Sequence, residues 1–345
     1  MSLNMGATKL RQTLEDPNGF VVAPGVYDGM SARLALAAGF DALYMVSTIL
    51  QSPDQILLLA VSCQRASFQT VEDQRHNQTR MLNKKTGAGT AASVHGQADL
   101  GICTLNDMRA NAEMLANLSP STPLIADADT GYGGPIMVSR TTEQYARSGV
   151  AAFHIEDQIQ TKRCGHLSGK LLVDTETYIT RIRAAVQSRK RLGSDIVIIA
   201  RTDALQGHGY EESISRLRAA KEAGADMGFL EGISSRDMAA RVVKDLAPWP
   251  LVLNMVEHGS TPSISADEAR GLGFRMIIFP FATIGPALVA MREGLEKLKR
   301  DGLPGLGEEL TPQMLFRVCG LDESVKLDEE AGGGSFQGGV DLRKS

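Results

Sequence analysis

The chain has 345 residues, 43% of them hydrophobic, enough to bury a large core as one big domain or two small ones. A formal net charge of -4 gives no support for a nucleic-acid partner, and no apolar run approaches the length of a membrane span. Met1 to Pro17 hold acids without an apolar segment, reading as neither secretory signal nor transit peptide; four cysteines without metal spacing suit a reducing, cytoplasmic setting.

Apolar strand-like runs alternate with amphipathic stretches almost throughout. A strand over 20–23 precedes a helix over 30–38, and a second strand covers 42–45. A helix over 105–116 leads to a strand over 123–126, and one over 142–148 to a strand over 152–155. Three further pairs follow: helix 175–191 with strand 196–200, helix 210–223 with strand 227–230, helix 235–246 with strand 251–253. Helix 265–272 then leads to the eighth strand, 276–279. Eight buried-type strands with helical crossovers predict a parallel α/β fold, and the count favours a (β/α)8 TIM-type barrel over a doubly wound sheet. A long helix over 287–300 ends at Asp301-Gly302, a short helical piece covers 312–319, and residues 321–345 read as a flexible glycine-rich tail.

The chemistry sits at the ends of the middle strands. Asp127 and Asp129 follow an apolar run at i, i+2 spacing, which predicts both side chains on one face. Two aligned carboxylates repel unless a cation lies between them, and acidic oxygens suit a hard ion such as Mg2+, with Mn2+ as substitute. His154 and Glu156 alternate in the same way on the next strand. Cys164 lies in Thr161-Lys162-Arg163-Cys164-Gly165-His166, a polar loop with two cations and a histidine, suited to a proton-donating thiol. Lys162, His166 and Glu156 join it in the candidate catalytic set. Arg201 ends the fifth strand and suits either a carboxylate clamp or an ion pair with Asp203. Glu231, Asn254 and Glu257 continue the ring of polar residues at strand ends. Thr86-Gly87-Ala88-Gly89-Thr90-Ala91-Ala92 imitates a dinucleotide fingerprint without its acidic partner and reads better as a backbone nest for a carboxylate.

The Asp-Ala-Asp-Thr-Gly-Tyr-Gly and His-Ile-Glu-Asp-Gln segments, the Lys-Arg-Cys-Gly-His loop and the Asn-Met-x-Glu strand end together resemble the isocitrate lyase/phosphoenolpyruvate mutase superfamily, over about 20–320. The cysteine loop resembles its carbon–carbon lyase branch. The resemblance implies a barrel whose last helix is swapped between subunits of a homotetramer. It implies Asp129 as the direct Mg2+ ligand, with Asp99, Asp127 and Glu156 holding its waters. Thr86, Gly87, Ala88 and Tyr44 would bind one carboxylate of a dicarboxylate substrate, and His154, Arg201, Glu231 and Asn254 the remainder. Cys164 would be the general acid on a gating loop. Pro280 stands where hydrolases of the superfamily carry serine, which favours a methylated substrate: 2,3-dimethylmalate, cleaved to pyruvate and propionate. Hydrolysis of oxaloacetate, cleavage of a methylisocitrate-like substrate and an inactive barrel are the alternatives.

The superfamily pattern runs directly from a strand end like Tyr44-Met45 into Thr-Gly-Ala-Gly, whereas 46–85 intervene here. The segment reads as a translated intron inside a single 1–345 domain. Val46-Ser47 can be encoded by GTNAGY, Leu82-Asn83 by CTNAAY and Lys85 by AAG, resembling a donor, a branch point and an acceptor.

Overall fold

The structure, a computed structural model, describes residues 4–46, 89–165 and 169–336. Eight strands stand among them: β1 (Val21–Val26), β2 (Leu43–Met45), β3 (Leu124–Asp127), β4 (Ala152–Glu156), β5 (Val197–Thr202), β6 (Met227–Leu230), β7 (Leu251–Asn254) and β8 (Met276–Phe279). They pair in parallel in sequence order, and β8 closes onto β1 through Val21 beside Met276 and Ala23 beside Ile278. With helices on the outside, this is the (β/α)8 barrel expected from the strand count.

Two apolar layers follow from the two-residue period of a strand. Tyr44, Ile125, Ala152, Val197, Ile199, Phe229, Val252 and Ile278 fill the barrel interior. Their neighbours Leu43, Leu124, Ala126, Phe153, Ile155, Ile198, Ala200 and Leu253 pack outward beneath the helices. Extending that alternation to the C-terminal strand ends turns Asp127, His154, Glu156, Arg201, Glu231, Asn254 and Pro280 inward. The register also sets neighbours, with Asp127 beside His154 and Glu156 beside Arg201.

Several boundaries differ from the sequence expectation. The helix expected from 142 begins at Pro135, whose ring suits a first helical position after Gly134. The helix expected from 210 begins at Leu205, with a break at Gly209, where φ is 81°. A helix, Leu321–Glu330, stands where an irregular tail is expected.

Helix Ile284–Asp301 buries none of its side chains, leaving Leu288, Val289, Met291, Leu295 and Leu298 exposed. No helix among the described residues is long and apolar enough to cross a membrane. Of the 46–85 insertion only Val46 lies among the described residues. The Val46 carbonyl accepts from Thr90 N at 2.9 Å and from Thr90 Oγ1 at 2.8 Å.

Candidate active site

The acids of β3 gather through a turn rather than along a strand. β3 ends at Asp127, and Asp129 lies beyond it with φ +47°, so strand alternation does not place its side chain. Instead Asp129 N donates to Asp127 Oδ1 at 2.7 Å, a side-chain turn that bends both acids toward the barrel mouth. Gly131 keeps that turn tight: a Cβ there would lie 2.5 Å from Val138 Cγ2.

Lys162 reaches back from the cysteine loop into this acidic centre. Its ammonium lies 2.7 Å from Asp99 Oδ2 and 2.5 Å from Asp129 Oδ1, with the side chain 1% exposed. Burial alone would lower its pKa, but Asp129, Asp99, Glu156 and Asp127 outweigh that and hold it charged. Burial raises Asp129 to about 7 against the pull of Lys162. Burial likewise drives Glu156 well above the usual carboxylate range, and both its oxygens are buried without a hydrogen-bond donor.

These residues fit a divalent cation. Unsatisfied carboxylate oxygens need positive charge or water protons, and the Lys162 ammonium is a stand-in cation among them. Among the described residues no three acidic, histidine or cysteine side chains form a compact cage.

Beside the acids lies a second cluster. Tyr44 OH and His154 Nε2 share a 2.9 Å hydrogen bond, and their rings stack. Burial, then the charges of Arg201 and Lys162, push the His154 pKa well below its usual value, so the imidazole is neutral. Arg201 grips Asp203 through Nε at 3.0 Å and Nη2 at 3.2 Å. It also faces Glu156 Oε2 at 3.4 Å and Glu231 Oε2 at 3.6 Å. The ion-pair reading of Arg201 holds, with Asp203 orienting its guanidinium. Asn254 Nδ2 donates to Glu231 Oε2 at 3.1 Å. Glu257 is exposed.

One pocket brings Tyr44, Cys164, Arg201, Glu231, Asn254 and Pro280 together. Cys164 is 1% exposed, more buried than its polar loop suggests, yet it lines this pocket. A cavity of about 310 Å³ opens on the other flank of Asp129, beside Cys103, Tyr132 and Met137, without a matching convergence of charges. Thr86, Gly87, Ala88 and His166 lie outside the described residues.

Sequence reasoning passed over the groups that set the loop. Gln158 exchanges two bonds with Arg163, giving from Nε2 to its carbonyl at 2.7 Å and accepting from its N–H at 2.9 Å. Asp157 turns away from the pocket to take Thr202 Oγ1 at 2.6 Å and Asp203 N at 2.9 Å, steadying the end of β5. The polar run after β4, Glu156-Asp157-Gln158, was the available signal for both.

A closed parallel barrel with acids, a neutral histidine and a thiol gathered at its C-terminal mouth has the architecture of an enzyme active site. Residues 48–299 match the family described as phosphoenolpyruvate phosphomutase, and the chain belongs to the PEP mutase/isocitrate lyase superfamily. It is 35% identical over 295 residues, 86% of each chain, to a 2,3-dimethylmalate lyase of Eubacterium barkeri. It is 34% identical to a 2-methylisocitrate lyase of Aeropyrum pernix, over 93% of this chain and 89% of the relative. A crystal structure of a 2,3-dimethylmalate lyase matches at TM-score 0.85 and 68% identity, covering 99% of this chain and 100% of the other. An oxaloacetate acetylhydrolase in complex with 3,3-difluorooxalacetate matches at TM-score 0.84 and 50% identity, over 97% and 100%. The resemblance in the motifs is borne out, and the enzyme class is that of a carbon–carbon lyase.

Proposed function

We propose that the chain is a Mg2+-dependent lyase that cleaves 2,3-dimethylmalate to pyruvate and propionate. The observation carrying this reading is the 68% identity to a solved 2,3-dimethylmalate lyase across nearly the whole chain, against 50% to the hydrolase. Pro280 in the pocket agrees with it, presenting an apolar wall to a substrate methyl and no hydroxyl to a ketone hydrate. For the metal, a superfamily neighbour, phosphonopyruvate hydrolase, was solved with oxalate and Mg++ at 25% identity and TM-score 0.69.

Asp129 would hold Mg2+ directly, with Asp99, Asp127 and Glu156 on its waters. When bound, the ion supplies Lewis-acid polarisation to the substrate's 2-hydroxyl and adjacent carboxylate. Arg201 and Asn254 then face the second carboxylate, and neutral His154, fixed by Tyr44, offers an N–H or a lone pair without adding charge. The 2-hydroxyl gives its proton to the Glu156 carboxylate, the oxygen's freed electron pair becomes the pyruvate carbonyl, and the C2–C3 pair enters the enediolate of propionate. Buried donors stabilise such a dianion by about 3 kcal/mol each. The Cys164 thiol returns a proton to C3, and the packed loop excludes water.

The exposed apolar face of Ile284–Asp301 fits a second copy of the chain, as expected for helices swapped within a homotetramer. Sedimentation as a monomer at micromolar concentration would remove that reading. The contact between Val46 and Thr90 fits a segment spliced between two halves of one motif. A transcript that retains the codons for 46–85 would refute its origin as an intron.

The decisive experiment incubates the purified chain with 2,3-dimethylmalate, 2-methylisocitrate and oxaloacetate, first with Mg2+ and then with chelator. Pyruvate and propionate from the first substrate, lost on chelation, are expected. Oxalate from oxaloacetate as the main activity would replace the lyase by a hydrolase, and no product at all would identify a disabled barrel.

A further inference from the structure

Lys170 follows the thiol by six residues and belongs to none of the motifs above. Its ammonium donates to the Gly165 carbonyl at 2.6 Å and to Asp203 Oδ1 at 2.9 Å, with the side chain 5% exposed. Asp203 is the carboxylate that Arg201 grips through two nitrogens. Burial opposes its ionisation, but Arg201 and Lys170 hold it well below the usual carboxylate range. One ammonium therefore links the peptide next to the thiol to the group that orients the pocket's arginine.

Gly165 shows how closely that peptide rests on the pocket. A Cβ there would lie 2.5 Å from Arg201 Nη2 and 2.7 Å from Glu231 Cδ. Backbone seated this tightly needs something to hold it, because the Cys164–Gly165 link belongs to no helix or strand. Gln158 secures Arg163 on the near side of the thiol. On the far side, Lys170 supplies the charged contact.

We propose that Lys170 is a positioning residue for Cys164: by tying the Gly165 carbonyl to Asp203 it fixes the Gly165 peptide against Arg201 and Glu231 and so holds the adjoining thiol in the pocket. Its consequence for turnover rests on the function proposed above; its consequence for the thiol does not. Removing the ammonium leaves Asp203 paired with Arg201, so no carboxylate is stranded and the barrel keeps its core.

The test compares wild type with Lys170→Met and Lys170→Gln, each checked for folding by circular dichroism; if one misfolds, the other carries the measurement. Iodoacetamide labelling is followed by mass spectrometry at each cysteine-bearing peptide. Cys164 labels about tenfold faster or more in the variants, while buried Cys103 and exposed Cys319 keep their rates. With substrate, kcat falls about tenfold or more while KM stays within about twofold, as expected when a proton donor moves and the binding groups do not. Cys164 labelling within about twofold of wild type overturns the proposal. So does a parallel rise at Cys103, which would signal general loosening. A wild-type enzyme that cleaves no malate overturns the proposed function alone, since the labelling rates still decide the role of Lys170.

Discussion

The sharpest perturbation of the site is a single methyl group at Gly165. Its φ lies outside the left-handed region, so Gly165→Ala introduces no backbone strain and acts only through space. The new Cβ would meet Arg201 Nη2 at 2.5 Å and Glu231 Cγ at 2.8 Å. Neither group can retreat freely. Arg201 is held by Asp203 on one side and stacks 5.1 Å from the Phe229 ring centroid, and Glu231 is held by Asn254. Overpacking of this kind costs about 1–3 kcal/mol. If the loop yields instead of the barrel, that cost falls on the docked state of the thiol, lowering its population by about 5- to 150-fold. The expected result is a kcat/KM for pyruvate release reduced within that range, with the melting temperature nearly unchanged because the clash is relieved by undocking. A variant with kcat/KM within about twofold of wild type would refute the reasoning, since the loop would then not need to sit where the structure places it.

Cys164→Ala removes the proposed acid and lowers turnover by about 100-fold or more with the fold intact by circular dichroism; residual activity within tenfold of wild type would assign the proton to another group. Mg2+ affinity, measured by titration calorimetry, weakens as pH falls below about 7, because metal-free Asp129 takes up a proton near there and must lose it to bind the ion. The same raised value stabilises the metal-free fold at acid pH, an advantage lost as pH climbs from about 4 through about 7, so added Mg2+ raises the melting temperature most at the alkaline end. An affinity independent of pH between 5.5 and 8 would contradict this. Pro280→Ser moves the ratio of oxaloacetate hydrolysis to malate cleavage toward hydrolysis by about tenfold, read from oxalate and pyruvate yields; an unchanged ratio would free Pro280 from any part in specificity.

The barrel was legible because its strands are buried on both faces and read as short apolar runs, and their alternation carries one step further to turn polar strand-end residues inward. That single rule reaches Asp127, His154, Glu156, Arg201, Glu231, Asn254 and Pro280. It fails at Asp129, which a left-handed turn rather than a strand brings to the site. The N-terminal half of the helix from Pro135 was not legible, because Ile136 is 86% exposed and blurs the amphipathic pattern of its first turn. Lys170 shows a different limit. A lysine in a polar loop reads as a solvated charge, and only tertiary structure reveals it buried against Asp203, just as it alone shows Lys162, already a catalytic candidate, against Asp99 and Asp129.

Those two lysines bracket the thiol, and their partners belong to different halves of the site. Lys162 is bound to Asp99 and Asp129, the acids that fit the cation, whereas Lys170 is bound to Asp203, the acid that orients Arg201. The loop is therefore anchored at one end by Asp99 and Asp129 and at the other by Asp203. Under the proposed function these are the metal and carboxylate halves of the site, and the thiol would reach C3 only when both are assembled. That coupling matters chemically in the proposed reaction, because an enediolate left unprotonated can add back to the pyruvate carbonyl and re-form the C2–C3 bond. A divalent ion entering the acids also competes for the oxygens that Lys162 now holds. Under the proposed function, metal loading and thiol placement would be linked through the same pair of aspartates, Asp99 and Asp129.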